Sequence, residues 1–151
     1  MPTRFGHVNL IARDWQRLAV FYRRCFGCAD VPPERHYRGD DLSAGTGVPD
    51  AALDGVHLRL PGHGPDGPTL EIYQYSANAA ARLPVANRVG WGHVAFAVDD
   101  VTAAQETVLA NGGSVVGEIV TLQTADGRQV TWCYVRDPEG NLVELQAWSD
   151  A

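Results

Sequence analysis

The sequence predicts an α+β fold: two tandem βαβββ modules forming a cup-shaped mixed sheet with helices outside. Three observations lead there. FGHVNLIARD, from Phe5 to Asp14, is nearly repeated as WGHVAFAVDD, from Trp91 to Asp100, so that one constant offset carries Gly6, His7, Val8 and Asp14 onto Gly92, His93, Val94 and Asp100. A run of helical period follows each copy, and each half then supplies β-rich runs separated by marked turns. Units of this size cannot bury a sheet alone and are expected to share one core.

The elements follow in order. Val8, Leu10 and Ala12 alternate with His7, Asn9 and Ile11, which is the period of a strand. Asp14 stands as the N-cap of a helix with Leu18, Tyr22 and Cys25 on one face, and Gly27 stops it. The stretch RGDDLSAGTGVPD is expected to be an irregular rim or lid, since long insertions often carry specificity. Val56 to Leu60 and Thr69 to Tyr75 read as strands on either side of the turn PGHGPDGP. In the second half Val94, Phe96 and Val98 oppose His93, Ala95 and Ala97. Asp100 caps a helix carrying Val101, Ala104, Gln105 and Val108, which ends at Gly112 and Gly113. Turns at Ala125-Asp126-Gly127 and Asp137-Pro138-Glu139-Gly140 divide the remaining strands. The chain is thus expected to be one domain over 1–151, with modules at 4–75 and 91–148 and a linker at 76–90.

Composition narrows the class. With 151 residues, 45% hydrophobic and 20% charged, the chain can bury a proper core and reads as globular. A net charge of −6 without a single lysine leaves no basic footprint, so neither nucleic acid nor an anionic membrane is expected as a partner. The longest apolar run is five residues, Val94 to Val98, and no spanning or targeting segment is expected. Three cysteines, an odd number, argue against a disulfide framework and suit a cytoplasmic location. Cys25 and Cys28 form one C-x-x-C with no second pair. Because Cys25 falls on the apolar helix face, they read as buried structural thiols rather than a redox pair or half of a zinc site.

Strand parity then selects candidate site residues. The greasier face of each strand belongs under the helix, which turns His7 and His93 to the other side. The last strands split likewise: Leu70 and Ile72 oppose Thr69, Glu71 and Tyr73, while Val143 and Leu145 oppose Leu142, Glu144 and Gln146. A carboxylate on an inner face is costly unless paired or metal-bound. Two imidazoles and two carboxylates at repeat-equivalent positions suit a divalent ion such as Zn, Ni, Co, Mn or Fe. Asn9 and Tyr73 share the inner parity, as do either Trp132 and Tyr134 or Cys133 and Val135, depending on register. Arg38 and Arg128, near loops, are candidates to meet an anionic substrate group. His57 has no repeat partner and is set aside as a ligand, and His36 and His63 are placed in loops facing water.

These motifs resemble the vicinal oxygen chelate superfamily, also called the glyoxalase, bleomycin-resistance and extradiol dioxygenase family. The resemblance runs from GHVNLIARD through FYRRCFG and TLEIYQY to GHVAFAVDDV and DPEGNLVELQ. It implies a metal held by His7, Glu71, His93 and Glu144, the positions parity had turned inward. With Glu71 present, the ligand pattern resembles glyoxalase I and methylmalonyl-CoA epimerase. That pattern implies a lyase or isomerase in which the metal stabilises an enolate while Glu144 or Glu71 shuttles a proton. Asn9, Tyr73, Trp132, Tyr134 and Arg38 are the expected substrate contacts, for a small molecule handled by a homodimer. The alternatives are an Fe(II) extradiol dioxygenase using His7, His93 and Glu144, with Tyr134 assisting, and a metal-free drug-binding protein of the same fold.

Overall fold

A computed structural model describes residues 2–149. The chain falls into two units divided after Ala80, inside the 76–90 stretch. No helix among the described residues is long and apolar enough to cross a membrane.

The first unit runs β1 (His7–Ile11), α1 (Trp15–Phe26), β2 (Ala29–Arg38), α2 (Asp40–Thr46), β3 (Ala52–Arg59) and β4 (Thr69–Tyr75). Its mixed sheet has the order β1-β4-β3-β2, with β1 parallel to β4 and the other pairs antiparallel. The Asp14 carboxylate accepts from the Arg17 N–H at 3.0 Å, and Gly27, left-handed at φ 66°, closes the helix. Leu18, Phe21 and Tyr22 recur at helical spacing and are buried where α1 lies on β3 and β4, above Val56, Leu58, Leu70 and Ile72. Phe21 meets Tyr22 edge-on at 5.2 Å, which fills the layer between helix and sheet. The Gln74 amide oxygen accepts from the Trp15 N–H at 3.2 Å, and Asn78 donates to the Ala12 carbonyl at 2.9 Å, tying β1 and the helix start to β4.

The second unit repeats the plan with β5 (Val94–Ala97), α3 (Val101–Ala110), β6 (Ser114–Val115), β7 (Val120–Gln123), β8 (Gln129–Arg136) and β9 (Leu142–Ser149). β5 is parallel to β9, β9 antiparallel to β8, and both β6 and β7 pair with β8. Asp100 caps α3 through the Ala103 N–H at 3.0 Å. Asp137 is only 2% exposed and accepts from the N–H groups of Glu139 and Asn141, so the turn DPEGN fixes the β8/β9 register.

The structure departs from expectation in three places. RGDDLSAGTGVPD is not irregular: Asp40–Thr46 is helical, with two acidic residues in its first turn and left-handed Gly47 at its end. The expected single second strand of the later module is broken into β6 and β7 around Gly117, at φ 112°. His36 lies on β2, where its Nδ1 meets the Asp54 carboxylate at 2.7 Å; it remains exposed but is not in a loop.

Cys28 is buried and Cys25 partly so. Burial pushes Cys25 up to about 11 and Cys28 up to about 12 from a usual 9.0. Each unit lowers the thiolate fraction about tenfold, so at pH 8 iodoacetamide is expected to label both roughly 100-fold or more slowly in the native than in the urea-unfolded protein. Equal labelling rates by mass spectrometry would contradict the structural reading of this C-x-x-C.

Candidate active site

Each unit brings together one histidine and one glutamate on the helix-free face of its sheet. In the first, Asn9 on β1 pairs in register with Glu71 on β4, which sets His7 two residues earlier on the same face. His7 Nδ1 lies 3.5 Å from Glu71 Oε1, with the carboxylate 13% exposed and the imidazole 53%. In the second, Ala95 pairs with Glu144, and His93 Nε2 lies 2.9 Å from Glu144 Oε2, the side chains being 32% and 17% exposed. Neither carboxylate has an arginine within ion-pair distance among the described residues, and the chain holds no lysine.

Glu71 has further neighbours. His57, its cross-strand partner on β3, places Nε2 3.4 Å from Glu71 Oε1 and 2.5 Å from the Tyr73 hydroxyl. Arg35 donates to His57 Nδ1 at 3.3 Å, and Tyr73 shares the face of Glu71 two residues further along β4. Burial lowers the His57 pKa, partly opposed by the charge of Glu71. Burial and then the same charge raise that of Tyr73, so the phenol keeps its proton at neutral pH.

Glu144 is surrounded differently. Its cross-strand partner is Tyr134, whose ring lies 4.9 Å from His93 and 5.0 Å from Trp132, making a row of three rings. Burial, and then Glu144, raise the Tyr134 pKa. The register settles the parity left open by sequence: Tyr134 and Trp132 join Glu144 and Gln146, while Cys133 and Val135 are fully buried on the helix side.

The donor spacing can be tested against a metal. Two ligands bound to one ion at about 2.1 Å, with angles of about 90–110°, stand roughly 3.0–3.4 Å apart. The two pairs, at 3.5 and 2.9 Å, fit neighbouring positions on an ion, and partly buried carboxylates without a guanidinium partner have the donor chemistry for it. No group of three or more His, Cys, Asp or Glu is gathered to hold a metal among the described residues, so each unit by itself offers two ligands.

The fold is matched by known proteins. A family model described as the glyoxalase/bleomycin resistance protein/dioxygenase superfamily covers residues 4–145. The chain belongs to this superfamily. Among solved structures, a glyoxalase family protein from Bacillus cereus superposes with a TM-score of 0.83 at 18% identity, covering 98% of this chain and 95% of that one. A glyoxalase/bleomycin resistance protein from Albidiferax ferrireducens gives 0.59 at 19% identity, covering 95% and 98%. The genomically encoded fosfomycin resistance protein FosX of Listeria monocytogenes, complexed with Mn(II) and sulfate, gives 0.56 at 17% identity, covering 97% and 93%. The superfamily includes many metalloenzymes; at these identities the likeness establishes the fold. A comparison with curated proteins finds no match.

Within this superfamily fold, the expected substrate contacts separate. Asn9 and Tyr73 share the face of Glu71, and Trp132 and Tyr134 that of Glu144. Arg38 does not join them. It pairs with Ala52 on the opposite face of β2 and β3 and is held by Asp54 at 2.9 Å. Arg128 is likewise engaged, bonded to Asp126 at 2.9 Å and stacked over Trp148 at 4.8 Å. The arginine on the Glu71 face is Arg35, opposite Gly55. Pro32, Pro33 and Glu34 stand against Val56 alone in the β2/β3 ladder, a two-residue excess that leaves the alternation of faces unchanged. Arg35 escapes the sequence reading because the two prolines disguise its strand, so that no face is assigned to it. His57 was missed for a related reason: lacking a repeat partner, it is revealed only by the register that sets it opposite Glu71.

Proposed function

We propose that the chain is a divalent-metal-dependent lyase or isomerase of the glyoxalase type, acting on a small molecule with a carbonyl group next to an acidic C–H bond. The observation that carries the reading is the pairing of each partly buried glutamate with a histidine and no arginine. His7 and Glu71 in the first unit and His93 and Glu144 in the second are the residues that would supply the ligands, one imidazole and one carboxylate in each. When bound, the ion supplies Lewis acidity at the substrate carbonyl oxygen. The rest belongs to the chain: a glutamate removes the proton from the neighbouring carbon and returns it to an adjacent carbon or to the opposite face of the same one, leaving no net change in protons. The rings of Tyr134 and Trp132 provide an apolar surface beside that carboxylate.

Protein purified without chelator is expected to carry about one divalent ion per chain by elemental analysis, and His93→Ala to carry far less. Tight binding of small molecules by protein that takes up no divalent ion would replace this reading with a binding module. A second reading rests on Tyr134 lying against His93: extradiol-type dioxygenation with His7, His93 and Glu144 around Fe(II). Oxygen consumption on catechols by the iron-loaded protein would establish it.

A further inference from the structure

We infer that Arg35, His57 and Tyr73 are positioning residues: a one-way hydrogen-bond chain that holds Glu71 in a single orientation as a permanent metal ligand, unlike Glu144. The inference rests on the metal-dependent reading above and adds the groups that restrain Glu71.

The direction of the chain follows from its first member. A guanidinium has donors only, so the 3.3 Å contact from Arg35 obliges His57 Nδ1 to accept. The imidazole then carries its hydrogen on Nε2, which donates to the Tyr73 oxygen at 2.5 Å. The same Nε2 lies 3.4 Å from Glu71 Oε1, so the imidazole faces both the phenol oxygen and the carboxylate, and the remaining phenol O–H is assigned to Glu71 on the same face of β4. Each bond fixes the next, from a cation at one end to an anion at the other, an arrangement in which neighbouring bonds strengthen one another.

Packing holds the same members. A Cβ at Gly55 would stand 2.6 Å from Tyr73 Cδ1, so the missing side chain gives the phenol its bed on β3. Tyr37 meets the ring edge-on at 6.4 Å on one side and His57 lies 5.7 Å from it on another. Arg35 is half-buried and has no carboxylate within ion-pair distance among the described residues; its guanidinium is committed to His57 and the Val31 carbonyl. In the second unit the Glu144 carboxylate has His93 as its one ion-pair partner among the described residues, and Tyr134 offers its ring to His93. One glutamate is therefore restrained by three groups beyond its own histidine, and the other is not. Outer partners that orient a metal ligand are typically worth about 10–100-fold in metal affinity.

The test titrates Co2+ into metal-free full-length protein by calorimetry and follows the visible Co2+ spectrum. Tyr73→Phe keeps the ring and removes one hydroxyl; it is expected to weaken Co2+ binding roughly 10–100-fold, shift the spectrum, and leave the thermal midpoint near that of the parent. Adding His57→Ala to Tyr73→Phe should cost little more, because the chain is already cut. In a Glu71→Gln background Tyr73→Phe should have no effect on affinity. Arg35→Met, at the far end, serves as the second variant and should move affinity in the same direction by less. Co2+ affinity unchanged in both Tyr73→Phe and Arg35→Met while the parent binds normally would overturn the positioning role alone. So would losses that persist undiminished in the Glu71→Gln background. A parent protein that binds no Co2+ would overturn the metal-dependent reading and this inference together.

Discussion

Replacing Gly55 with alanine is expected to destabilise the protein by about 3 kcal/mol, at the upper end of what overpacking costs. A Cβ at this position would lie 2.0 Å from the Ile72 carbonyl oxygen and 2.6 Å from the Tyr73 ring. The first contact is with backbone, which no rotamer change relieves. Gly55 is buried in the middle of the β3/β4 ladder, between the pairs Leu53–Tyr75 and His57–Glu71, so relief requires the two strands to separate where the glutamate is anchored. For a chain of this length the thermal midpoint should fall by roughly 6–12 °C. Gly64→Ala provides the contrast: it lies in the turn between the same strands, its Cβ would meet nothing within 4 Å among the described residues, and its change should stay within about 0.5 kcal/mol. Indistinguishable melting curves for the two variants would show that β4 does not pack over Gly55 in this way.

Gly55 also shows where reading the sequence stops short. A lone glycine inside ALDGVHLR signals a close approach, but the register is needed to say that the approaching group is Tyr73. The features legible from sequence were local and periodic. The doubled GHV, the two capping aspartates and the alternation along β1, β4, β5 and β9 recover those strands, the starts of α1 and α3, and the faces of His7, Glu71, His93 and Glu144; the parallel β1/β4 and β5/β9 pairing comes from the structure. These hold because a period of two or of 3.6 residues survives any tertiary context.

Three kinds of residue escaped. The α2 segment is short and contains Gly45, and its helical state comes from acidic residues at its N-terminus and glycine at its end rather than from an apolar stripe; it buries no residue. Arg35 escapes because Pro32 and Pro33 disguise the strand that carries it, and Arg38, three residues further along the alternation, lies on the opposite face. His57 has no counterpart in the other half, so symmetry sets it aside, yet it belongs to the half whose glutamate is the more restrained. Reasoning from an internal repeat finds what the halves share and is blind to what distinguishes them. Here the difference bears on which carboxylate is free to move.

That difference leads to the largest expected effect on activity. A base that takes a proton from carbon must swing toward the substrate and away from its resting partner, which a carboxylate held beside His57 and its Arg35 and Tyr73 partners resists. Glu144, 17% exposed and with His93 as its one ion-pair partner among the described residues, has that freedom, and Tyr134 and Trp132 set their rings beside it. Glu144→Gln keeps the volume and removes the basic oxygen. Its turnover is therefore expected to fall by about 10²–10⁴-fold, the usual worth of a positioned general base. The readout is deuterium incorporation, by NMR in D2O, into whichever small ketone or thioester the parent protein deuterates. Exchange should fade with turnover in Glu144→Gln while the variant melts like the parent, because the substitution is nearly isosteric and only partly buried. Glu71→Gln should lose bound metal first and exchange as a consequence, so that added Co2+ restores part of its rate but none of the rate of Glu144→Gln. Undiminished exchange in Glu144→Gln, with exchange abolished and metal retained in Glu71→Gln, would reverse the two roles and make the anchored carboxylate the base.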